Sequence, residues 1–217
     1  MTDAFLQNDT LFPRVSTREN LLEEVKKALE WDRGHVLGIS LKNDSLKAIE
    51  KKAESSNAED KINGVFADLG FDIHISALAP HSWYPAGYGP AIYLVSAYLF
   101  GWDKDDIIDL GRISTRGTML MKVVMRLVSM EKTMELAPKI WRKYYDFGEL
   151  RPIEYSEEDS FAVFQVVGYD VHPISEPYHC GYFSGVVELV TGSKNTQTEA
   201  VKSVYRGETY SEYKISW

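Results

Sequence analysis

Apolar and polar residues alternate through the last third of the chain, interrupted by one stretch of helical spacing. Phe161 to Val167 and Ala200 to Arg206 carry strand signals, and the closing run sets Tyr213, Ile215 and Trp217 against Glu212, Lys214 and Ser216 in strict period two. Between them Ile174, Tyr178, Tyr182, Val186, Leu189 and Val190 recur at helical spacing. With a strand entering from about Leu150, the layout predicted is strand, strand, helix, strand, strand. The alternation running up to Trp217 reads as an inner or paired strand, because a frayed end does not carry apolar residues in register.

Upstream the periodicity is helical. Residues 1 to 15 read as a loose arm. Ser16-Thr17-Arg18-Glu19 fits a capping box, hydroxyl first and carboxylate three residues on. Leu21, Leu22, Val25, Ala28 and Leu29 then mark one apolar face of a helix ending near Asp32 to Gly34. His35 to Leu41 suggests a short strand and Asp44 to Ala53 a charged helix, broken at Ser55-Ser56-Asn57. These first 60 residues are expected to form an N-terminal extension, with the main domain over residues 61–217. In that domain Gly70 to Gly89 is rich in turn-formers and aromatics, and Pro90 is expected at a helix start, where proline is tolerated. Further helices are predicted from Asp103, over Met119 to Val128, and from Glu131 to Tyr145, the last stopped by Gly148. The fold class expected is α+β: a helical layer packed on a C-terminal antiparallel sheet of about four strands with an inserted helix.

Composition narrows the function classes. The chain has 217 residues, 44% hydrophobic and 26% charged, as in an ordinary folded domain. No stretch reaches the ~18 uninterrupted apolar residues of a membrane span, and Met1 to Asn8 shows no leader pattern. A single cysteine, Cys180, excludes an internal disulfide framework and fits a reducing compartment, so a cytoplasmic protein is expected. Net charge is −8, and residues 151–217 hold five Lys/Arg against ten Asp/Glu. That balance disfavours direct nucleic-acid contact, which needs several phosphates neutralised. Arg112, Arg116, Lys122 and Arg126 fall at helical spacing and read as a solvated face.

Three chemistries compete with plain packing. Cys180 beside His179 suggests a nucleophile and its base, but neighbouring helical side chains diverge by about 100° and cannot share a proton easily. Cys180 reads better as a small core residue. Glu176 and Cys180, spaced four apart, would need His172 or His179 to bind a metal; zinc prefers several thiolates or imidazoles, and one thiol argues against it. Haem needs an axial histidine on a helix and donors for its propionates. His74 and His81 sit in turn-rich sequence, His35 sits near a strand, and Arg112-Ile113-Ser114-Thr115-Arg116 ends in Ser-x-Arg without the tyrosine that opens the haem-propionate motif of nitric-oxide-sensing domains. The aromatic residues Trp83, Tyr84, Tyr88, Tyr93, Trp141, Tyr144, Tyr145, Tyr182 and Phe183 are more suggestive. They can line an apolar pocket or simply fill a core.

Ser175-Glu176-Pro177, then Gly181-Tyr182-Phe183-Ser184-Gly185, then Gly207 and Tyr213-Lys214-Ile215 resemble the 4-vinyl-reductase domain. Its superfamily includes nitric-oxide-sensing haem domains and Golgi-transport tethering subunits. From about Ile62 the chain is still more similar to a bacterial paralogous family represented in myxobacteria, through Gly64-Val65-Phe66, Trp83-Tyr84-Pro85, Gly111-Arg112 and Trp141-Arg142-Lys143-Tyr144-Tyr145. Some relatives sense phenols or toluenes and carry a zinc site. The resemblance places those ligands at His179 or Cys180, Lys202, Tyr205 and Tyr213, a set that cannot hold zinc.

The resemblance and the aromatic pattern imply a non-catalytic sensory or regulatory domain binding a small, mainly apolar molecule between helices and sheet. The pocket residues expected are Trp83, Tyr84, Tyr88, Trp141, Tyr144, His179, Cys180 and Phe183. Paired carboxylates, a nucleophile triad and a cofactor loop are missing at usable spacing, so an enzyme is not expected. A homodimer working through a separate effector protein is expected, without metal or catalytic cofactor and without membrane or nucleic-acid contact. The alternatives are a scaffold resembling the tethering subunits and a haem-based gas sensor.

Overall fold

A computed structural model describes residues 12–13, 15–116 and 129–217, the side chains at 43 and 44 aside. Helix α1 (Arg18–Leu29), strand β1 (His35–Leu37), α2 (Lys47–Lys52), α3 (Ala58–Asp68), β2 (Trp83–Pro85), α4 (Tyr88–Phe100) and α5 (Lys104–Ser114) form the first half. Helix α6 (Met130–Tyr144), β3 (Glu149–Ser156), β4 (Phe161–Val167), α7 (Ser175–Thr191), β5 (Gln197–Lys202) and β6 (Tyr210–Ser216) form the second. The α+β class and the strand, strand, helix, strand, strand layout are both present. The helix expected over Met119 to Val128 lies outside the described residues.

The four-stranded sheet is antiparallel with order β3-β4-β6-β5, so the final strand pairs on both sides. Its period-two pattern sets the register. Ala162 faces Ile215 and Phe164 faces Tyr213, all buried on the side covered by α6 and α7. Strand β5 stops earlier than its sequence suggests. The Ser203 hydroxyl accepts from Tyr205 N–H at 3.2 Å, turning Val204–Arg206 into a 3-10 segment, and Gly207 leaves it at φ +89°. A second, small sheet pairs β1 with β2 through Val36 and Tyr84.

Several helix boundaries differ from the sequence expectation. The α1 cap is Thr17, whose hydroxyl accepts from Asn20 N–H at 3.2 Å, one residue later than the box read from Ser16. Pro90 is the third residue of α4, where its missing N–H still costs nothing, since the first N–H groups of a helix have no intrahelical acceptor. The charged helix expected from Asp44 starts inside a π-helical run over Ser40–Leu46 and becomes α-helical only at Lys47. Asp103 and Asp106 form a complete capping box at α5.

Two apolar clusters meet along α7. One joins Leu21, Val25 and Ala28 of α1 and Ile49 of α2 to Ile62, Phe66 and nearly all of α4, reaching Tyr178. The segments before and after residue 60 thus share one apolar cluster. The other lies between the sheet, α6 and α7, with Met134, Trp141, Phe164, Phe183 and Tyr213. Among the described residues no helix is long and apolar enough to cross a membrane.

Candidate functional site: an aromatic cavity beside α7

Helix α7 is held unusually close to α5, and three glycines allow it. A Cβ on Gly181 would sit 1.7 Å from Ile108 O, one on Gly111 would sit 2.1 Å from Tyr178 O, and one on Gly185 would sit 2.4 Å from Thr115 Oγ1. Backbone therefore packs on backbone. The crossing is tied at its far end by Glu188, which lies 3.1 Å from Arg112 Nε and 2.7 Å from Arg116 Nη2. Of the basic residues read as a solvated face, Arg112 and Arg116 are here helix-to-helix ties, and Lys122 and Arg126 lie outside the described residues.

This crossing fixes which α7 side chains face α6. Tyr178, His179, Tyr182, Phe183, Val186 and Leu189 wall a cavity of about 90 Å³ with Ile140, Trp141, Tyr144 and Tyr145 at the end of α6, Leu150 on β3, Ser114 and Thr115 at the end of α5, and Ser40. A neighbouring cavity of about 50 Å³ shares Ile140, Leu150, Tyr182, Phe183 and Val186 with it. Trp141 stacks on Tyr145 at 4.5 Å between ring centroids and donates its Nε1–H to Phe147 O at 3.0 Å. Ser114 and Thr115 are engaged with backbone, donating to Leu110 O and Arg112 O.

His179 is the one imidazole on the cavity wall among the described residues. Aromatic rings surround it, with Tyr169 4.8 Å and Tyr213 6.0 Å away, and Tyr213 OH makes a long 3.4 Å contact with Nδ1. Burial holds its pKa down at about 4, so it is neutral at physiological pH. Burial also pushes the Cys180 thiol up to about 12, with the nearby Glu176 carboxylate adding to the effect. A thiol so placed supplies no thiolate.

Of the residues expected at the pocket, the structure brings together Trp141, Tyr144, His179 and Phe183. Cys180 belongs to the sheet-side cluster and is not a wall residue. Trp83, Tyr84 and Tyr88 lie at β2 and the start of α4, where Tyr84 OH accepts from Ala79 N–H at 2.7 Å and stacks near Tyr88. They are not on this wall either, and Trp83 is 45% exposed. Sequence reasoning did not select Tyr178, Val186 or Leu189. The spacing Tyr178, Tyr182, Val186, Leu189 along one helix face was the available signal. Among the described residues no group of three His, Cys, Asp or Glu side chains could hold a metal ion.

No family model and no curated protein matches this chain. Solved structures do. An oxygen-binding H-NOX domain related to soluble guanylate cyclases matches with TM-score 0.53 and 11% identity over 81% of this chain and 94% of its own. A doubly substituted H-NOX domain matches with TM-score 0.55, 11% identity and the same coverage. A protein from work on haem redox potential and porphyrin distortion gives TM-score 0.55 and 9% identity, over 81% of this chain and 97% of its own. The chain has the H-NOX fold; at such identity the likeness carries no chemistry.

Whether haem fits depends on the cavity itself. The volume of about 90 Å³ is below the ~150 Å³ that admits a single benzene ring, and far below the ~300 Å³ or more of sites for larger ligands. No Lys or Arg is on the wall among the described residues, and the single imidazole is ringed by aromatics. These residues do not fit haem.

Proposed function

We propose that the chain is a non-catalytic sensory or regulatory domain that binds a small, mainly apolar molecule between α6, α7 and the sheet. The observation that carries this is the cavity wall: rings from two helices around an uncharged imidazole, with apolar Ile140, Leu150 and Val186 completing it. A neutral wall favours a neutral guest, because a charged one would lose its hydration without a partner. The two adjoining cavities, of about 90 and 50 Å³, share Tyr182, which is only partly buried; a guest that turns this ring outward would join them and gain the space the ring itself fills, which is what a one- or two-ring molecule needs. The kinship to 4-vinyl-reductase domains and the homodimeric state belong to the same proposal.

A thermal-shift panel of indole, p-cresol, hexanoate and haemin tests this reading. Indole or cresol should raise the melting temperature, and hexanoate and haemin should not. The small resting volume favours one competing reading, a scaffold whose pocket is collapsed. That reading gains if none of the four stabilises the protein.

A further inference from the structure

The part of the chain before residue 60 touches both supports of this cavity, and it does so through two polar clasps. Helix α6 ends at Tyr144, and the strand residue His35 grips the turn that follows. Asp146 Oδ1 accepts from His35 N–H at 2.5 Å, Oδ2 lies 2.8 Å from His35 Nδ1, and Asp146 N–H donates to His35 O at 3.2 Å. Val36 bridges Tyr145, a wall residue, and Trp31 packs on Phe147 at 4.7 Å. Helix α7 begins at Ser175, and α1 grips the turn that precedes it. His172 is 2% exposed; its Nδ1 accepts from Ile174 N–H at 3.2 Å, so the proton sits on Nε2, which donates to Glu24 Oε2 at 2.9 Å. Asp170 in the same turn accepts from Trp31 Nε1–H at 3.1 Å and pairs with Arg33.

One short segment, residues 24–36, thus holds the end of one cavity helix and the start of the other. We propose that Glu24 and His35 are positioning residues for the ligand site, setting the spacing of α6 against α7 through Asp146 and His172. The proposal rests on the cavity being the ligand site. Linkage makes the coupling reciprocal: if the clasps favour the binding geometry, an occupied cavity tightens the clasps by the same factor.

The test uses the full chain. Glu24→Ala, Asp146→Ala and Glu24→Gln are compared with wild type by hydrogen exchange and by indole titration. Glu24→Gln keeps a carbonyl oxygen to accept from His172 Nε2–H, so it should behave as wild type. Glu24→Ala should speed exchange at 169–175 and Asp146→Ala at 144–147. Each should weaken indole about 5- to 10-fold at a temperature where all variants are folded. Indole should in turn slow exchange at both turns in the wild type. Faster exchange confined to residues 18–36, or unchanged indole affinity in both alanine variants, overturns the proposal. If wild type binds no indole, the ligand-site reading fails, while the exchange data still decide whether the clasps hold the two turns. Asp146 is exposed and carries no core packing, so its variant remains informative if Glu24→Ala does not fold.

Discussion

Gly181→Ala is the sharpest test of how α7 is placed. The added methyl carbon would lie 1.7 Å from Ile108 O, half the 3.4 Å at which ordinary contact begins, and 2.9 Å from Arg112 N. Both neighbours are backbone of α5, so no side-chain rotation relieves the clash. The helices must separate, and a gap of about 1 Å forfeits a quarter to a half of the contact attraction along the crossing. Overpacking of this kind costs about 1–3 kcal/mol or more, and the better helix propensity of alanine returns about 1. We expect a net loss near the upper end, about 2 kcal/mol, or roughly 4–8 °C in melting temperature for a chain of this size. Gly64→Ala is the internal control. Gly64 is exposed within α3 and a Cβ there meets nothing within 4 Å, so the same substitution should stabilise by about 1 kcal/mol. Urea and thermal melts of both variants measure the two signs. A Gly181→Ala protein melting at or above wild type would refute the close crossing and the cavity geometry built on it.

Other outcomes follow from the cavity and its surroundings. His179 has a folded pKa of about 4 against 6.5 unfolded, so the unfolded chain takes up a proton that the fold refuses. Stability should be fully present above pH 6.5 and fall as pH drops toward 4, by at most about 3 kcal/mol, and His179→Gln should flatten that slope in melts between pH 7 and 4.5. Glu24, held down to about 2 chiefly by its hydrogen bond to His172, contributes stability that is lost only below pH 4.5, so the two windows separate. Cys180 should resist iodoacetamide in the native protein and react on unfolding; rapid native labelling would contradict its burial. Trp141→Ala should lower stability by ~3–5 kcal/mol and abolish indole binding, whereas Trp141→Phe should keep most of both.

Much of the fold was legible because burial imposes a period. Ala162, Phe164 and Val166 alternate with half-exposed neighbours, and Tyr213 and Ile215 answer them across the sheet. The α4 segment is apolar all round because it is buried on all sides. What stayed hidden depends on partners distant in sequence. Gly111, Gly181 and Gly185 were visible as motif residues, yet spacing along one helix does not say which other helix it will cross. Trp83, Tyr84 and Tyr88 look like pocket aromatics by type, but the pairing of β1 with β2 directs the first two elsewhere and Tyr88 opens α4 beside them. Tyr178 and Val186 look like core by type, and only the position of α6 makes them a wall. Glu24 and His172 are 148 residues apart, and no local pattern could have joined them.

The central claim is that a guest molecule sits between α6 and α7 against Val186. Calorimetric titration of indole into wild type and Val186→Trp tests it most directly, since the larger side chain fills both cavities from their shared wall. The account predicts one-to-one binding by wild type and none by a folded Val186→Trp. Binding of equal strength by both proteins, or by neither, would contradict it.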